Sequence, residues 1–158
     1  MRTAAVLTIS DSSSRGERAD VSGPAIAGLL RQNEFQVEHN EIVPDDQPAI
    51  EAALVRLSEQ AELIVTTGGT GIAERDVTPE ATRAVCNKLI DGIPEKMRSA
   101  GAAQTPLAAL SRGLCGVRGR TLIVNVPGSP EGAVQSLHSV VDILPHALDL
   151  LAGKTGHE

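Results

Sequence analysis

Residues 66–80 read TTGGTGIAERDVTPE, and this stretch decides the fold. It follows an apolar segment at 63–65, which is typical of a buried strand, and it holds three glycines within four positions, namely Gly68, Gly69 and Gly71. Glycine reaches backbone conformations that other residues avoid, so consecutive amides can turn toward one anion. Thr78 is predicted to be an N-cap, with Pro79 in the first turn of a helix. This arrangement is typical of phosphate binding, and a tight turn without a ligand is the alternative.

The rest of the chain alternates predicted strands with predicted helices. Strands are predicted at 3–10, 35–43 and 62–67, and a hairpin at 113–119 and 120–126. Helices are predicted at 23–33, 79–89 and 92–102, and along the apolar stripe from Val134 to Leu151. The first of them is expected to be capped by Ser22 or Gly23. A further helix is predicted to begin in the PDDQPAI segment, with four side chains facing the core, namely Ile50, Ala53, Leu54 and Leu57. Pro145 is predicted to kink this last helix.

This alternation predicts an α/β fold with three layers, α/β/α, around a mostly parallel sheet. One domain is predicted over residues 1–152, followed by a flexible tail at 153–158. Open sheets of this kind bind ligands where the loops leave the carboxyl ends of their strands. Four loops are therefore expected to meet at one edge, at residues 11–22, 44–47, 68–78 and 127–130.

Composition excludes several classes of function. The net charge is −6, and the chain has one Phe and neither Trp nor Tyr, so we expect no nucleic-acid partner. No apolar run is long enough for a membrane span, and no signal peptide is predicted, which favours a cytoplasmic location. Cys86 and Cys115 are predicted to be reduced thiols, with a disulfide as the alternative. The four histidines lack the spacing of metal ligands.

The predicted edge is rich in carboxylates. Asp11 and Asp20 lie in the first loop, Asp45 and Asp46 in the second, and Asp76 in the third. Carboxylates alone would repel a phosphate, and a Mg²⁺ ion that bridges carboxylate and phosphate oxygens removes this conflict. The pattern therefore favours a magnesium–nucleotide ligand.

Some of these residues have simpler structural interpretations. Asp46 and Asp20 could each cap the helix that follows, and Asp76 could interact with a helix dipole without taking part in chemistry. Arg98, Arg112, Arg118 and Arg120 could neutralise phosphates, but among the arginines only Arg75 is placed by its position in the glycine loop.

Several motifs together resemble the MogA/MoaB-type molybdopterin-binding proteins and the gephyrin G domain. These motifs are the glycine stretch, ISD at 9–11, SGP at 22–24, VPDD at 43–46, LSR at 110–112 and NVPGSP at 125–130. The resemblance runs from about residue 4 to residue 151. The sequence departs at Pro94, where many MogA-like members have glycine. Arg75 before Asp76 resembles the adenylyltransferase branch more than the MoaB-like branch.

The resemblance implies a molybdopterin-binding fold, a homotrimer or hexamer, and the adenylylation of molybdopterin by Mg-ATP with release of pyrophosphate. It implies catalytic roles for Asp45 and Asp76, which would also hold Mg²⁺. Substrate or nucleotide binding is expected from the surrounding loops, at Asp11, Ser22, Gly23, Gly68, Gly69, Thr70, Gly71, Arg75, Pro127, Gly128 and Ser129. A molybdenum-insertion enzyme is the partner it suggests. The alternative is a non-catalytic MoaB-like carrier or scaffold of molybdopterin.

Overall fold

A computed structural model describes residues 1–156 of the 158-residue chain. Its centre is a six-stranded sheet with the order β2-β1-β3-β6-β5-β4. The strands are β1 (Arg2–Ile9), β2 (Phe35–Val43), β3 (Leu63–Thr67), β4 (Lys88–Leu89), β5 (Cys115–Arg118) and β6 (Thr121–Val126). Strands β2, β1, β3 and β6 are parallel, and β5 and β4 continue the sheet in antiparallel pairing.

Helices cover both faces of the sheet, which confirms the predicted three-layer α/β/α fold. They are α1 (Asp11–Ser14), α2 (Ser22–Gln32), α3 (Gln47–Ser58), α4 (Thr78–Val85), α5 (Gly92–Ala102), α6 (Pro130–Val140) and α7 (Leu144–Leu151). A short 3-10 helix at Pro106–Leu110 lies between α5 and β5. Within residues 1–156, no helix has the length and apolar character needed to cross a membrane.

The core consists of two aliphatic clusters, one on each face of the sheet. Helices α2, α5, α6 and α7 contribute to one cluster, and α3 and α4 contribute to the other. The side chains of β1 alternate between them, since Ala4 and Val6 face the first cluster and Ala5 and Leu7 face the second. Phe35, the one aromatic residue of the chain, is buried at the start of β2. The predicted inward positions of α3 are all buried.

Two helix starts differ from the prediction. Thr78 is not an N-cap, because α4 begins with it, and its hydroxyl donates to the carbonyl of Gly68 at 2.9 Å. Ser22 and Gly23 are already inside α2. The carboxylate of Asp20 accepts a hydrogen bond from the amide of Gly23 at 2.9 Å, so Asp20 provides an acceptor for one of the free amides at this helix N-terminus. Asp46 does cap α3, by accepting from the amide of Ala49 at 3.0 Å.

Three predicted boundaries are wrong. The first loop contains the single-turn helix α1. Helix α4 ends at Val85, four residues early, because residues 88–89 pair with β5 as the edge strand β4. The predicted kinked helix is two helices, and Pro145 lies in the first turn of α7, where its missing amide costs no intrahelical hydrogen bond. The predicted tail begins at Gly153, after α7 ends, and its residues 157 and 158 lie outside the described residues.

The two thiols pack against different core clusters. Cys115 packs into the first core cluster and Cys86 against the second, and both are free cysteines. Burial raises the pKa of Cys86 to about 11 and that of Cys115 to about 12. We therefore expect neither thiol to react with a disulfide reagent at neutral pH in the folded protein, and both to react after denaturation. A rapidly reacting thiol in the native state would contradict this assignment.

Candidate functional site

Four loops meet at the carboxyl edge of the parallel strands, as the sequence predicted. They follow β1, β2, β3 and β6, and together they line a cleft of about 450 Å³. We call it the acidic cleft, since its lining includes the carboxylates Asp20, Asp45 and Asp76. The β1 and β3 ends are adjacent in the sheet, and their chains leave toward opposite sides, so the cleft lies at the point where strand order reverses.

The glycine loop, residues 68–77, has a backbone conformation that requires glycine at two of its three glycine positions. Gly68 has φ 104° and Gly69 has φ 67°, both in the region that favours glycine, whereas Gly71 does not have a positive φ. A Cβ at Gly68 would lie 2.3 Å from the backbone oxygen of Ile9. The loop closes where the amide of Thr78 donates to the carbonyl of Gly69 at 3.1 Å. The predicted role of Gly71 in freeing the backbone is therefore wrong.

Asp11 and Asp45 connect the first two loops. The amide of Asp11 donates to Oδ2 of Asp45 at 3.0 Å, and the amide of Asp45 donates to Oδ1 of Asp11 at 2.9 Å. Arg75 donates to the Asp11 carboxylate through Nε and Nη2, each at 2.9 Å. This guanidinium holds the pKa of Asp11 below its ordinary value. Arg75 therefore neutralises Asp11 in this structure.

Asp45 and Asp76 face the acidic cleft in different environments. Burial raises the pKa of Asp45, and the nearby charges of Asp11 and Asp76 act in the same direction. Oδ2 of Asp45 accepts a hydrogen bond from the amide of Asp11, and Oδ2 of Asp76 accepts one from the amide of Ala73. The Oδ1 atom of each carboxylate has no hydrogen-bond donor among the described residues. Two carboxylates with free oxygens fit Mg²⁺, which takes one or two protein carboxylates together with substrate phosphates and water.

Clusters of three or more His, Cys, Asp or Glu side chains able to hold a metal are absent from residues 1–156. This donor set therefore suits a cation that arrives with phosphate oxygens rather than one enclosed by the protein alone. The same two aspartates were singled out from the sequence.

The first turn of α2 also faces the acidic cleft. Ser22 lies in the lining, and its hydroxyl lies 3.1 Å from that of Thr67, which also donates to the carbonyl of Pro127 at 2.8 Å. Gly23 has no space for a side chain, because a Cβ there would lie 2.2 Å from a carboxylate oxygen of Asp20. Gly23 is thus required for the packing of Asp20 against the helix, and it does not line the cleft itself.

A second hollow of about 350 Å³ lies beside the acidic cleft. We call it the lateral cavity. Its wall comes from α5, the 3-10 helix, the start of α6 and the middle of the glycine loop, and it includes Met97, Arg98, Leu107, Asn125 and Gln135. The glycine loop separates the two hollows, with Gly68 and Gly69 lining the acidic cleft and Thr70 and Gly71 lining the lateral cavity. Ser129 lines both.

The structure brings most of the predicted site residues together. The acidic cleft is lined by Ser22, Asp45, Gly68, Gly69, Asp76, Gly128 and Ser129, and the lateral cavity by Thr70, Gly71, Pro127 and Ser129. Asp11, Gly23 and Arg75 line neither hollow. Ser129 also caps α6, since its hydroxyl oxygen accepts from the amide of Gly132 at 3.2 Å.

Sequence reasoning missed two features of the site. Arg18 is the one basic residue that lines the acidic cleft, and no described residue forms a salt bridge with it. Its position in a loop that follows a parallel strand was the available signal. The lateral cavity was not predicted as a separate hollow, because one wall is the 3-10 helix, which the apolar pattern did not predict.

Comparison with known proteins agrees with this architecture. Residues 5–146 match a family profile described as a probable molybdopterin binding domain. The chain belongs to this family. The match covers most of the chain, including all four loops of the acidic cleft, and it confirms the family that the motifs indicated.

Individual relatives in the family extend over nearly the whole chain. The chain is 42% identical over 153 residues to a molybdopterin adenylyltransferase of Helicobacter pylori strain J99, covering 94% of this chain and 86% of that protein. It is 35% identical over 165 residues to the Escherichia coli K12 molybdopterin adenylyltransferase, covering 94% and 84%. The crystal structure of the molybdopterin biosynthesis enzyme MoaB from Thermus thermophilus superposes with a TM-score of 0.92 at 49% identity, covering 98% of each chain.

Proposed function

We propose that this protein is a molybdopterin adenylyltransferase of molybdenum cofactor biosynthesis. The observation that carries the proposal is the glycine loop between two adjoining hollows, since group transfer between two substrates requires two sites with a common boundary. The acidic cleft would take ATP with Mg²⁺, and the lateral cavity would take the pterin. The curated relatives named as adenylyltransferases, which the chain covers nearly from end to end, support the same activity.

The reaction joins two phosphates. An oxygen of the terminal phosphate of molybdopterin forms a bond to the α-phosphorus of ATP, and the bond between the α-phosphorus and the β-bridging oxygen breaks, so that pyrophosphate leaves. The attacking phosphate is already ionised at neutral pH, so no strong general base is required. The site must align two anions and stabilise charge in the transition state.

The residues of the cleft suit this task. The amides of Ser22, at the start of α2, and Gly69, in the glycine loop, donate to no described residue and would bind phosphate oxygens, whereas the amides of Gly23 and Gly132 already donate to Asp20 and Ser129. Asp45 and Asp76 would hold Mg²⁺, which when bound neutralises phosphate charge and polarises the α-phosphate. Asp11 keeps Asp45 in place through their reciprocal hydrogen bonds. Arg75 is paired with Asp11, so its contribution is to hold the glycine loop against the loop that follows β1.

The direct test is a pyrophosphate-release assay with molybdopterin, ATP and Mg²⁺. We expect release that requires both substrates and that stops when EDTA removes the metal. A non-catalytic MoaB-like carrier is the second candidate, favoured by the 49% identity to the protein named MoaB. A carrier would bind molybdopterin without releasing pyrophosphate, and this result would reject the adenylyltransferase proposal.

The family resemblance supports three further parts of the proposal. The protein acts in the cytoplasm, it assembles as a homotrimer, with a hexamer as the alternative, and it passes its product to a molybdenum-insertion enzyme. Exposed aliphatic side chains outside both hollows, such as Ile72, Ile143 and Leu150, supply apolar surface for contacts between subunits. Sedimentation of the purified protein tests the assembly directly, because a monomer at micromolar concentration would reject it.

Arg18 is expected to contact the nucleotide phosphates, since it lines the acidic cleft and none of the described residues forms a salt bridge with it. Replacing Arg18 with alanine should raise KM for ATP about 10-fold with little change in kcat, because one charge-assisted hydrogen bond is lost. Arg15 is the matched control. It lies in the same loop, pairs with Glu17 and does not line the cleft, so Arg15→Ala should leave KM unchanged. Equal KM values for the two variants would remove Arg18 from the site.

A further inference from the structure

The glycine loop is bonded to the segment Ser111–Gly113, whose two end residues line the lateral cavity. This segment follows the 3-10 helix and precedes β5. The backbone amide of Arg112 donates to the carbonyl of Thr70 at 2.8 Å. Residues 70–76 therefore do not depend only on their own hydrogen bonds for their conformation, because a second stretch of backbone is bonded to their start.

The side chain of Arg112 then spans the loop. Its Nε donates to the carbonyl of Gly71 at 2.8 Å, and its Nη2 donates to the carbonyl of Asp76 at 2.9 Å. One planar guanidinium thus joins the two ends of the segment 71–76, at a spacing that its rigid fork fixes. The carbonyl it holds at the far end belongs to Asp76, whose carboxylate faces the acidic cleft.

Glu80 holds the guanidinium from the other side. Nη1 of Arg112 donates to Oε2 of Glu80 at 2.7 Å, and Nη2 donates to Oε1 at 3.2 Å. This pairing lowers the pKa of Glu80, which is in the first turn of α4. Loop, helix and the 111–113 segment are therefore joined through one side chain.

A role for Arg112 in phosphate binding does not fit this geometry. Each of its three side-chain nitrogens donates to a protein oxygen, and the residue lines neither the acidic cleft nor the lateral cavity. The sequence placed Arg112 among arginines that could neutralise phosphates. The structure favours a different use of the same side chain.

We propose that Arg112 is a positioning residue, which sets the glycine loop and thereby the place of Asp76 in the acidic cleft. This inference rests on the proposed adenylyl transfer for its effect on turnover. Its effect on the loop itself does not depend on which reaction the site performs. The shape of the guanidinium matters here rather than its charge alone, because lysine cannot donate to Gly71, Asp76 and Glu80 with the same geometry.

The test is Arg112→Lys, which keeps the charge and removes the fork. We expect kcat for pyrophosphate release to fall about 100-fold, since small misplacements of catalytic groups have effects of this size. KM for ATP should stay within about threefold of the wild-type value, because Ser22 and Gly69, whose amides would bind the phosphates, lie outside the disturbed residues 70–76. Wild-type kcat in Arg112→Lys would show that charge suffices and would overturn the inference.

Two further variants separate positioning from general damage. Arg56→Lys is the matched control, because Arg56 makes the same two-bond pair with Glu41, at 2.8 and 2.7 Å, away from both hollows. It should keep full turnover, and its melting temperature should match that of the wild type, because an exposed ion pair contributes little to stability. Glu80→Gln weakens the hold on the guanidinium without touching Arg112, and we expect it to lower kcat by about 10-fold. Unchanged kcat in Glu80→Gln would contradict the role given to that pair.

Hydrogen–deuterium exchange keeps the inference testable apart from the reaction. Amides of residues 70–76 should exchange faster in Arg112→Lys than in the wild type, and Arg56→Lys should show no such change. If the wild-type protein releases no pyrophosphate, the proposed function fails, and the exchange result still decides whether Arg112 holds the loop. Unaltered exchange across residues 70–76 in Arg112→Lys would overturn the inference even if turnover fell.

Discussion

Asp45→Asn is expected to lower kcat for pyrophosphate release by roughly 1,000-fold while leaving the fold intact, and Asp76→Asn should do the same. Asparagine keeps the side-chain oxygen that accepts the amide of Asp11 in one case and that of Ala73 in the other. What it removes is the negative charge needed to hold Mg²⁺. The measurement is kcat across a magnesium titration, in which both variants should fail to recover at high metal concentration.

Stability separates this loss from unfolding. Burial raises the pKa of Asp45, which means that the folded state disfavours its ionised form. A neutral isostere should therefore be as stable at pH 7 as the wild type, or more stable, and urea unfolding can check this.

Asp46→Asn is the control for the same loop. Asp46 caps α3 through the amide of Ala49, and asparagine is an equally good cap, so both turnover and stability should change little. If Asp45→Asn and Asp76→Asn both retain wild-type turnover, neither carboxylate takes part in the mechanism.

Gly68→Ala is expected to destabilise the protein by roughly 3 kcal/mol or more and to abolish turnover. Gly68 has φ 104°, which is unfavourable for any residue with a Cβ. The added Cβ would also lie 2.3 Å from the carbonyl oxygen of Ile9, a backbone atom at the end of β1 that cannot rotate away. Relief requires β1 and β3 to move apart at the edge that forms the acidic cleft. Urea unfolding monitored by far-ultraviolet circular dichroism measures the loss.

Two glycine controls divide this effect into its causes. Gly119 has φ 60° with no atom within 4 Å of an added Cβ, so Gly119→Ala should cost only about 1 kcal/mol, from backbone conformation alone. Gly28 lies inside α2 with open space around it, so Gly28→Ala should stabilise the protein by about 0.5–1 kcal/mol. A Gly68→Ala variant no less stable than Gly119→Ala would show that the close approach to Ile9 is not a constraint.

The sequence predicted the sheet well because parallel, buried strands have a distinctive pattern. Strand β2 has the predicted bounds, and the glycine loop after β3 identified the edge that carries the site. Helix ends were harder to predict, because tertiary contacts decide them. Thr78 looked like a cap, but its hydroxyl bonds to a carbonyl ten residues earlier in the chain. Helix α4 ends before Asn87 because the residues after it pair with β5 as the edge strand β4. A strand of two residues is too short to produce a recognisable hydrophobic pattern in the sequence.

The same limit applies to the site. Position in the loops was enough to nominate Asp45 and Asp76, since loops after parallel strands converge whatever their side chains do. The partner of each arginine could not be read from local sequence. Arg75 pairs with an aspartate 64 residues away, and Arg112 donates to Gly71, 41 residues away, so the distinction between binding and positioning arginines required the structure.

The aliphatic core makes ligand binding unusually easy to observe. Phe35 is the single Phe, Tyr or Trp side chain, and it is buried at the amino ends of the parallel strands, whereas the glycine loop follows their carboxyl ends. Without tryptophan or tyrosine, the polypeptide contributes almost no near-ultraviolet absorbance or fluorescence of its own. The optical signals of a pterin or an adenine base can therefore be recorded against a nearly dark background, so occupancy of each hollow can be followed in an unlabelled protein.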